Sequence, residues 1–318
     1  MKLRDFYEAI VKIGIERDPR GKEAVEQDLV RRKRRFEELK EKEKEYFDLE
    51  SLTNPYADTR ILFGDGNTKV KRILVGIDIE VPEILLADRL ISKGEKIDLA
   101  LSHHPEGKAY ANFYEVMHMQ ADILNRYGIP INVAEALLSE RIKEVERKVM
   151  PVNHTRAIDA AILLNIPIMC AHTPSDNSVA NYLQKLFDET KPDTIDDVMN
   201  QLNSIPEYKE ASRNNAGPKI LIGSKERRSG KIFVDMTGGT EGSKEIFGSL
   251  AQAGIGTIVA MHLSDEHRKE AEKNHVNVVI AGHISSDNVG MNLLLDEISK
   301  IEPIEVLTCS GFKRFVRN

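Results

Sequence analysis

Two stretches decide the fold: IPIMCAHTPSDN at residues 166–177 and VNVVIAGHISSDN at residues 276–288. Each begins with a strand-like apolar run, 166–171 and 276–281. Each ends in a turn that places a histidine and a carboxylate four residues apart, His172 with Asp176 and His283 with Asp287. A third segment of this kind precedes them, Leu99-Ala100-Leu101-Ser102-His103-His104-Pro105. Imidazoles and carboxylates gathered at strand ends are the donors that a hydrolytic metal site uses.

Working outward, the pattern from Val70 is α/β. Residues 72–79 read as a buried strand. Pro82 opens a helix that Gly94 closes, and residues 97–101 form the strand that leads to His103. Residues 111–127 predict a helix, 129–133 a short strand, and 156–164 a helix behind a Thr155 cap. Residues 178–218 read as mainly helical. Strands follow at 219–222 and 231–235, a helix at 243–253, and a strand at 257–261 that ends at His262. A helix at about 266–274, the second His/Asp turn, a closing helix at 289–301 and a strand at 304–309 complete the chain. The strand–helix–strand unit leading to His103 recurs before His262, with Asp78 and His103 separated by 25 positions and Asp235 and His262 by 27. The expected fold is therefore α/β, with two similar domains from an internal duplication facing each other across a metal-containing cleft. Open α/β sheets place ligands beyond the carboxyl ends of their strands. The expected divisions are an N-terminal helical region 1–53, a first α/β domain 54–180, a helical connection 181–218 and a second α/β domain 219–318.

Residues 20–48 predict one long, charged N-terminal helix with a broken heptad stripe through Val25, Leu29, Arg32, Phe36, Leu39, Glu43 and Tyr46. It either packs on the domain or reaches a neighbouring subunit. The run Arg31-Arg32-Lys33-Arg34-Arg35 is flanked by acidic residues and reads as a solvated helix face. A net charge of −6 argues against a general nucleic-acid binder. No apolar run is long enough to span a bilayer, and the opening MKLRDFYEAI lacks a signal-peptide core. Cys170 and Cys309 sit in apolar runs and do not form a disulfide framework, so a cytoplasmic protein is expected.

Adjacent strand residues point to opposite faces, so His103 and His104 cannot share one ion while the strand stays regular. Either the turn at Pro105 re-aims one of them, or each serves a different ion in a two-metal site with a bridging carboxylate. Asp176 and Asp287 are the carboxylate candidates and His283 completes the donor set, which suits Zn, Mn or Fe. Both aspartates also fit as helix N-caps. His118 and His275 read as surface or helix residues, and His154 as the residue leading into the Thr155 cap. His262 and His267 are candidates for proton donation or anion binding. The turn Met236-Thr237-Gly238-Gly239-Thr240-Glu241-Gly242 either offers N–H groups to a phosphate or is a tight turn without a ligand.

Taken in this order, His103-His104-Pro105, His172-Thr173-x-x-Asp176 and Gly282-His283-x-x-Ser286-Asp287 resemble the NGG-one-interacting-factor-three-like family. Its members are described as GTP cyclohydrolase I type 2 homologues or dinuclear-metal-centre proteins. The resemblance covers roughly residues 54–318 in layout. It implies a homohexamer with two divalent metals per subunit, held by His103, His104, Asp176, His283 and Asp287. It also implies a metal-dependent hydrolase acting on a nucleotide or related phosphate-bearing small molecule. The alternative is a non-catalytic metal-binding scaffold. The family usually has Glu where this chain has Asp287. The family's early Asp-Asn-x-Gly-Leu motif is replaced here by Asp58-Thr59-Arg60-Ile61-Leu62.

Overall fold

The computed structural model describes residues 1–317. Among the described residues, nine strands form two sheets. The first contains β1 (Thr59–Phe63), β2 (Arg72–Gly76), β3 (Leu99–Ser102), β4 (Ile168–Ala171) and the last strand, β9 (Glu305–Thr308), in the order β1-β4-β3-β2-β9. The second contains β5 (Lys219–Ile222), β6 (Lys231–Asp235), β7 (Ile255–Ala260) and β8 (Asn277–Ile280), in the order β5-β8-β7-β6. The first four strands of the first order match the second order one for one, and β9 is an addition at the far edge. β1 runs antiparallel to β4 and β5 antiparallel to β8, while the inner pairs are parallel. A register slip recurs between Ile61 and Phe63 and between Ile220 and Ile222. A duplicated α/β unit would give this match.

Helices cover both faces of each sheet, which is why the inner strands read as unbroken apolar runs. The first half carries α1 (Leu3–Glu16), α2 (Lys22–Glu38), α3 (Glu41–Lys44), α4 (Val81–Ser92), α5 (Gly107–Ala111), α6 (Met119–Arg126), α7 (Ile131–Val149) and α8 (Arg156–Leu163). Then come α9 (Thr173–Thr190), α10 (Ile195–Ser204), α11 (Pro206–Arg213), α12 (Ile246–Gln252), α13 (Asp265–Lys273) and α14 (His283–Ile301). The two helices that follow the His/Asp turns exchange partners. α9 leaves the first sheet, yet its Val179, Leu183 and Phe187 pack on Ile232, Val234, Val259 and Val279 of the second. α14 leaves the second sheet, yet its Met291, Leu294, Leu295 and Ile298 pack on Ile73, Val75, Leu99 and Met169 of the first. Each fully buried aliphatic side chain in these contacts contributes about 1.5–3 kcal/mol. The exchange forces the N-termini of α9 and α14 together, and those termini carry the two His/Asp pairs.

The long charged helix is present as α2, but it stops at Glu38 rather than running to residue 48. Lys40 N–H donates to Glu43 Oε2 at 2.9 Å, which starts a new helix, and Phe36 closes on Phe47 with ring centroids 4.9 Å apart. Arg31, Lys33, Arg34 and Arg35 are exposed, as a solvated face requires. The strand expected at 129–133 is the start of α7. Pro130 stands before its first turn, and the stripe Ala134, Leu138, Ile142, Val145 and Val149 is buried at helical spacing. The helix expected over 111–127 is a 3-10 segment, Phe113–His118, followed by α6. No helix among the described residues is long and apolar enough to cross a membrane.

Candidate metal centre

In the first sheet Ser102 aligns with Gly76 on β2 and Cys170 on β4. His103 and His104 therefore leave β3 at the carboxyl edge of the parallel strands. Their rings lie 5.1 Å apart at 67°, so they diverge as neighbouring strand residues must. His103 is fully buried, and its Nε2 lies 3.1 Å from Asp176 Oδ1. His104 turns the other way, with Nδ1 at 2.7 Å from Asp78 Oδ1 and Nε2 at 3.5 Å from Asp287 Oδ2.

The first turns of α9 and α14 supply the rest. His172 stands at the N-cap of α9 and Asp176 in its first turn. His283 is the first residue of α14, with Asp287 one turn on. Asp287 Oδ2 lies 3.7 Å from His283 Nε2 and 3.9 Å from His103 Nδ1. Donor atoms fall into three overlapping groups: His103, His104 and His172; His104, His283 and Asp287; and His103, Asp176 and Asp287. His103 and His104 share the first group with His172, and each also joins a second group that contains Asp287. All five residues of the expected ligand set converge here.

Polar satisfaction argues that the cluster is built for a cation. His103 Nδ1 and both oxygens of Asp287 are buried without any hydrogen-bond partner. Such orphans are costly unless something else satisfies them. Burial pushes the Asp176 carboxyl up to about 7 against the pull of His172, and holds Asp287 well above its ordinary range with Asp176 adding to the effect. Burial and the neighbouring imidazoles His172 and His104 drive His103 well below its ordinary value, and burial takes His283 down to about 4. A bound cation would let the carboxylates ionise and the imidazoles stay neutral, the states in which both are ligands.

No protein-family model and no curated protein matches the chain. Among solved structures, a NIF3 superfamily protein from Sphaerobacter thermophilus is similar at 25% identity and a TM-score of 0.68, over 80% of this chain and 92% of its own. The chain resembles the NIF3 superfamily. Reduced HcgD from Methanocaldococcus jannaschii (14% identity, TM-score 0.45, 78% of this chain and 87% of its own) and a Bacillus cereus protein related to NIF3 (11%, 0.39, 79% and 89%) lie much further away.

The NIF3-like chain holds three site residues outside the expected ligand set. His172, at a strand end, is one of them. Its ring lies 4.9 Å from that of His103, and its Nδ1 meets Asp58 Oδ2 at 2.8 Å. Burial would lower the His172 pKa, but the carboxylates of Asp176 and Asp58 outweigh it and raise it to about 9. Asp58 also accepts from Thr173 Oγ1 at 2.6 Å, and it stands where the family's early acidic motif was sought. Asp78 fixes the His104 ring, and that hydrogen bond holds its own carboxyl below the ordinary value. Carboxylates that orient ligating imidazoles are a regular second layer of metal sites.

The second sheet contributes His262. Ala260 aligns with Asp235 and Ile280 as Ser102 aligns with Gly76 and Cys170, so His262 holds the sheet position of His104. Its ring lies 5.0 Å from that of His283, and its Nδ1 meets Glu241 Oε1 at 3.0 Å. That hydrogen bond raises the His262 pKa against partial burial. His267 is differently placed, with Nδ1 at 2.6 Å from Ser264 Oγ and Nε2 at 2.9 Å from Gly242 O. Both its ring nitrogens are engaged in holding the turn. Within that turn Gln120 Nε2 donates to Gly238 O at 2.6 Å and Thr240 O at 2.7 Å. A cleft of about 380 Å³ opens over the centre, lined by His104, His172, His262 and His283 on one side and by Glu106, Tyr110, Phe113 and Arg156 among others.

Proposed function

We propose that this chain is a dinuclear-metal-dependent hydrolase of a small molecule bound in the cleft between the two sheets. The observation that carries the reading is the position of Asp287, within 4 Å of His103, His104 and His283 with both oxygens otherwise unpartnered. His103, Asp176 and Asp287 would hold one divalent ion, and His104, His283 and Asp287 the other, with His172 at the edge of the first group. Zn, Mn and Fe suit this mixture of nitrogen and oxygen donors. The ions would supply Lewis acidity for hydrolysis.

The chain's own residues do the rest. Asp58 and Asp78 orient His172 and His104. Glu241 holds Nδ1 of His262, which leaves its Nε2 available as the proton donor to a leaving group. His267, bonded at both nitrogens, keeps the 237–242 turn in place rather than moving protons. The cleft has room for a group of nucleoside size, and a nucleotide is the substrate class that the family resemblance favours. A GTP cyclohydrolase-like ring opening and a phosphoester hydrolysis would use the same centre.

Exposed apolar side chains on α4 and α8, Leu85, Leu86, Ile162 and Leu163, favour a homo-oligomer, for which the hexamer of the family is the candidate. A cytoplasmic setting is proposed with it. The test is turnover of a panel of nucleotides and phosphoesters by metal-loaded protein against His283→Ala. Turnover lost in the variant supports the hydrolase. A stable metal load without any turnover would favour the scaffold instead. Unchanged metal content in His103→Ala, read by elemental analysis, would remove the proposed centre.

A further inference from the structure

We infer that the cleft over the centre reads its ligand through Glu106, which accepts the in-plane N–H groups of a flat, amidine-like end of the substrate. The inference rests on the cleft being the substrate site and names the chemistry that site recognises.

The wall facing the imidazoles carries three acidic residues, Asp78, Glu80 and Glu106, and one cation, Arg156. Asp78 already has a partner inside the fold, held by His104 at 2.7 Å. Glu80 is exposed to water, and only its backbone N–H is engaged, donating to Glu83 Oε2 at 3.0 Å. Glu106 is half-buried and meets no other side chain through a hydrogen bond or ion pair. Arg156 faces the same cleft but does not close on Glu106; it is exposed and stays solvated. The two charges therefore differ in what they need. A partly desolvated carboxylate with only the Gly107 backbone N–H beside it gains from a further donor, whereas an exposed guanidinium loses little by waiting in water.

The shape of the wall narrows the donor. Tyr110 and Phe113 lie side by side with ring centroids 6.3 Å apart and planes at 25°, and Phe113 stands edge-on to His172 at 5.5 Å. A flat group lying along these rings would share the cleft with Glu106 and could turn an edge to it. Two parallel N–H groups on that edge match the two oxygens of a carboxylate, the geometry that makes such pairs strong. A phosphate at the same place would meet Glu80, Glu106 and Asp78 with like charge. Any phosphate on the substrate must therefore lie at another end of the cleft.

The experiment is calorimetric titration of the metal-loaded protein with benzamidine, benzamide and acetophenone. These are rings of similar size that carry a paired N–H edge, a single amide group and no donor. Benzamidine is expected to bind roughly tenfold or more tightly than acetophenone, with benzamide between them. Glu106→Gln is expected to weaken benzamidine by a similar factor, with metal content and circular dichroism unchanged, while Arg156→Gln leaves it as it was. Equal affinity for the three rings, no binding of any, or full benzamidine affinity in Glu106→Gln would overturn the inference. If that variant does not fold, the order of the three rings on the unaltered protein decides alone. Lack of turnover on the nucleotide panel with the benzamidine preference intact would sink the hydrolase and leave this recognition standing.

Discussion

Asp287 Oδ2 stands 3.5 Å from His104 Nε2, although one residue lies one turn into a helix of the second half and the other just beyond a strand of the first. The exchange of α9 and α14 between the sheets creates this meeting. It places a carboxylate with no hydrogen-bond partner in a fully buried position, between imidazoles that burial keeps neutral. A group in that setting works against the metal-free fold and for the metal-bound one.

Asp287→Asn should therefore have opposite effects on the two forms. The amide removes a buried carboxyl whose ionisation is disfavoured, so the metal-free variant should gain about 1–3 kcal/mol. The same change takes away the oxygen shared by two donor groups, so metal should be lost from both. Thermal melts with and without added Zn or Mn, beside elemental analysis, would read this. A variant that melts lower than the parent in chelator, or that keeps a full metal load, contradicts the assignment.

Proton linkage gives a second expectation. In the metal-free protein the His172 pKa is raised to about 9 and Asp176 is pushed up to about 7. Both groups hold protons in the folded state that the unfolded chain would release at lower pH. The His172 contribution to metal-free stability is present below about pH 6.5 and is lost as pH rises towards 9, while that of Asp176 is present below about pH 4 and is lost as pH rises towards 7. Metal binding must expel these protons, so affinity should climb over the same range. Melts of chelated protein between pH 6.5 and 9 should fall while the Kd for added metal tightens. A flat metal affinity across that window would mean that neither group is displaced.

Asp58→Asn tests the layer behind the ligands. Asp58 holds the Nδ1 side of His172 and leaves Nε2 free to face the centre. Loss of such a carboxylate partner typically costs about 10–100-fold in metal affinity. Competition with a chromophoric chelator would measure it. Unchanged affinity would place His172 outside the metal site, as a structural cap of α9.

What the sequence allowed, and what it hid, follows from range. The inner strands were readable because a strand buried on both faces is apolar along most of its length, as in residues 168–171 and 278–280. The His103-His104 pair and the two His-x-x-x-Asp turns stood at strand ends, where local order alone marks them. The short apolar run at 129–133 misleads, since a few apolar residues fit a strand or the start of a helix equally well. His172 was passed over because its role depends on Asp58, which lies 114 positions away in the chain. The helix exchange that builds the cleft was hidden for the same reason. It is decided by which sheet each apolar face covers, and no local pattern records that choice.

Gly290→Ala tests the exchange itself. Gly290 lies on α14 beside Ser175 on α9, and a Cβ at that position would collide with the Ser175 backbone carbonyl and Oγ. The obstacle is backbone in a buried helix, so neither side can yield by a rotamer change. The two helices must move apart, and with them Asp176 and Asp287, each one turn from its own N-terminus. Overpacking of this kind costs about 1–3 kcal/mol. The specific expectation is that metal affinity falls more than stability does, because sub-ångström separation of the ligands matters more to a coordination site than to apolar packing. Stability read by denaturant and metal affinity read by chelator competition would separate the two. A variant with lowered stability and unaltered affinity would show that the helix crossing does not set the distance between the two carboxylates.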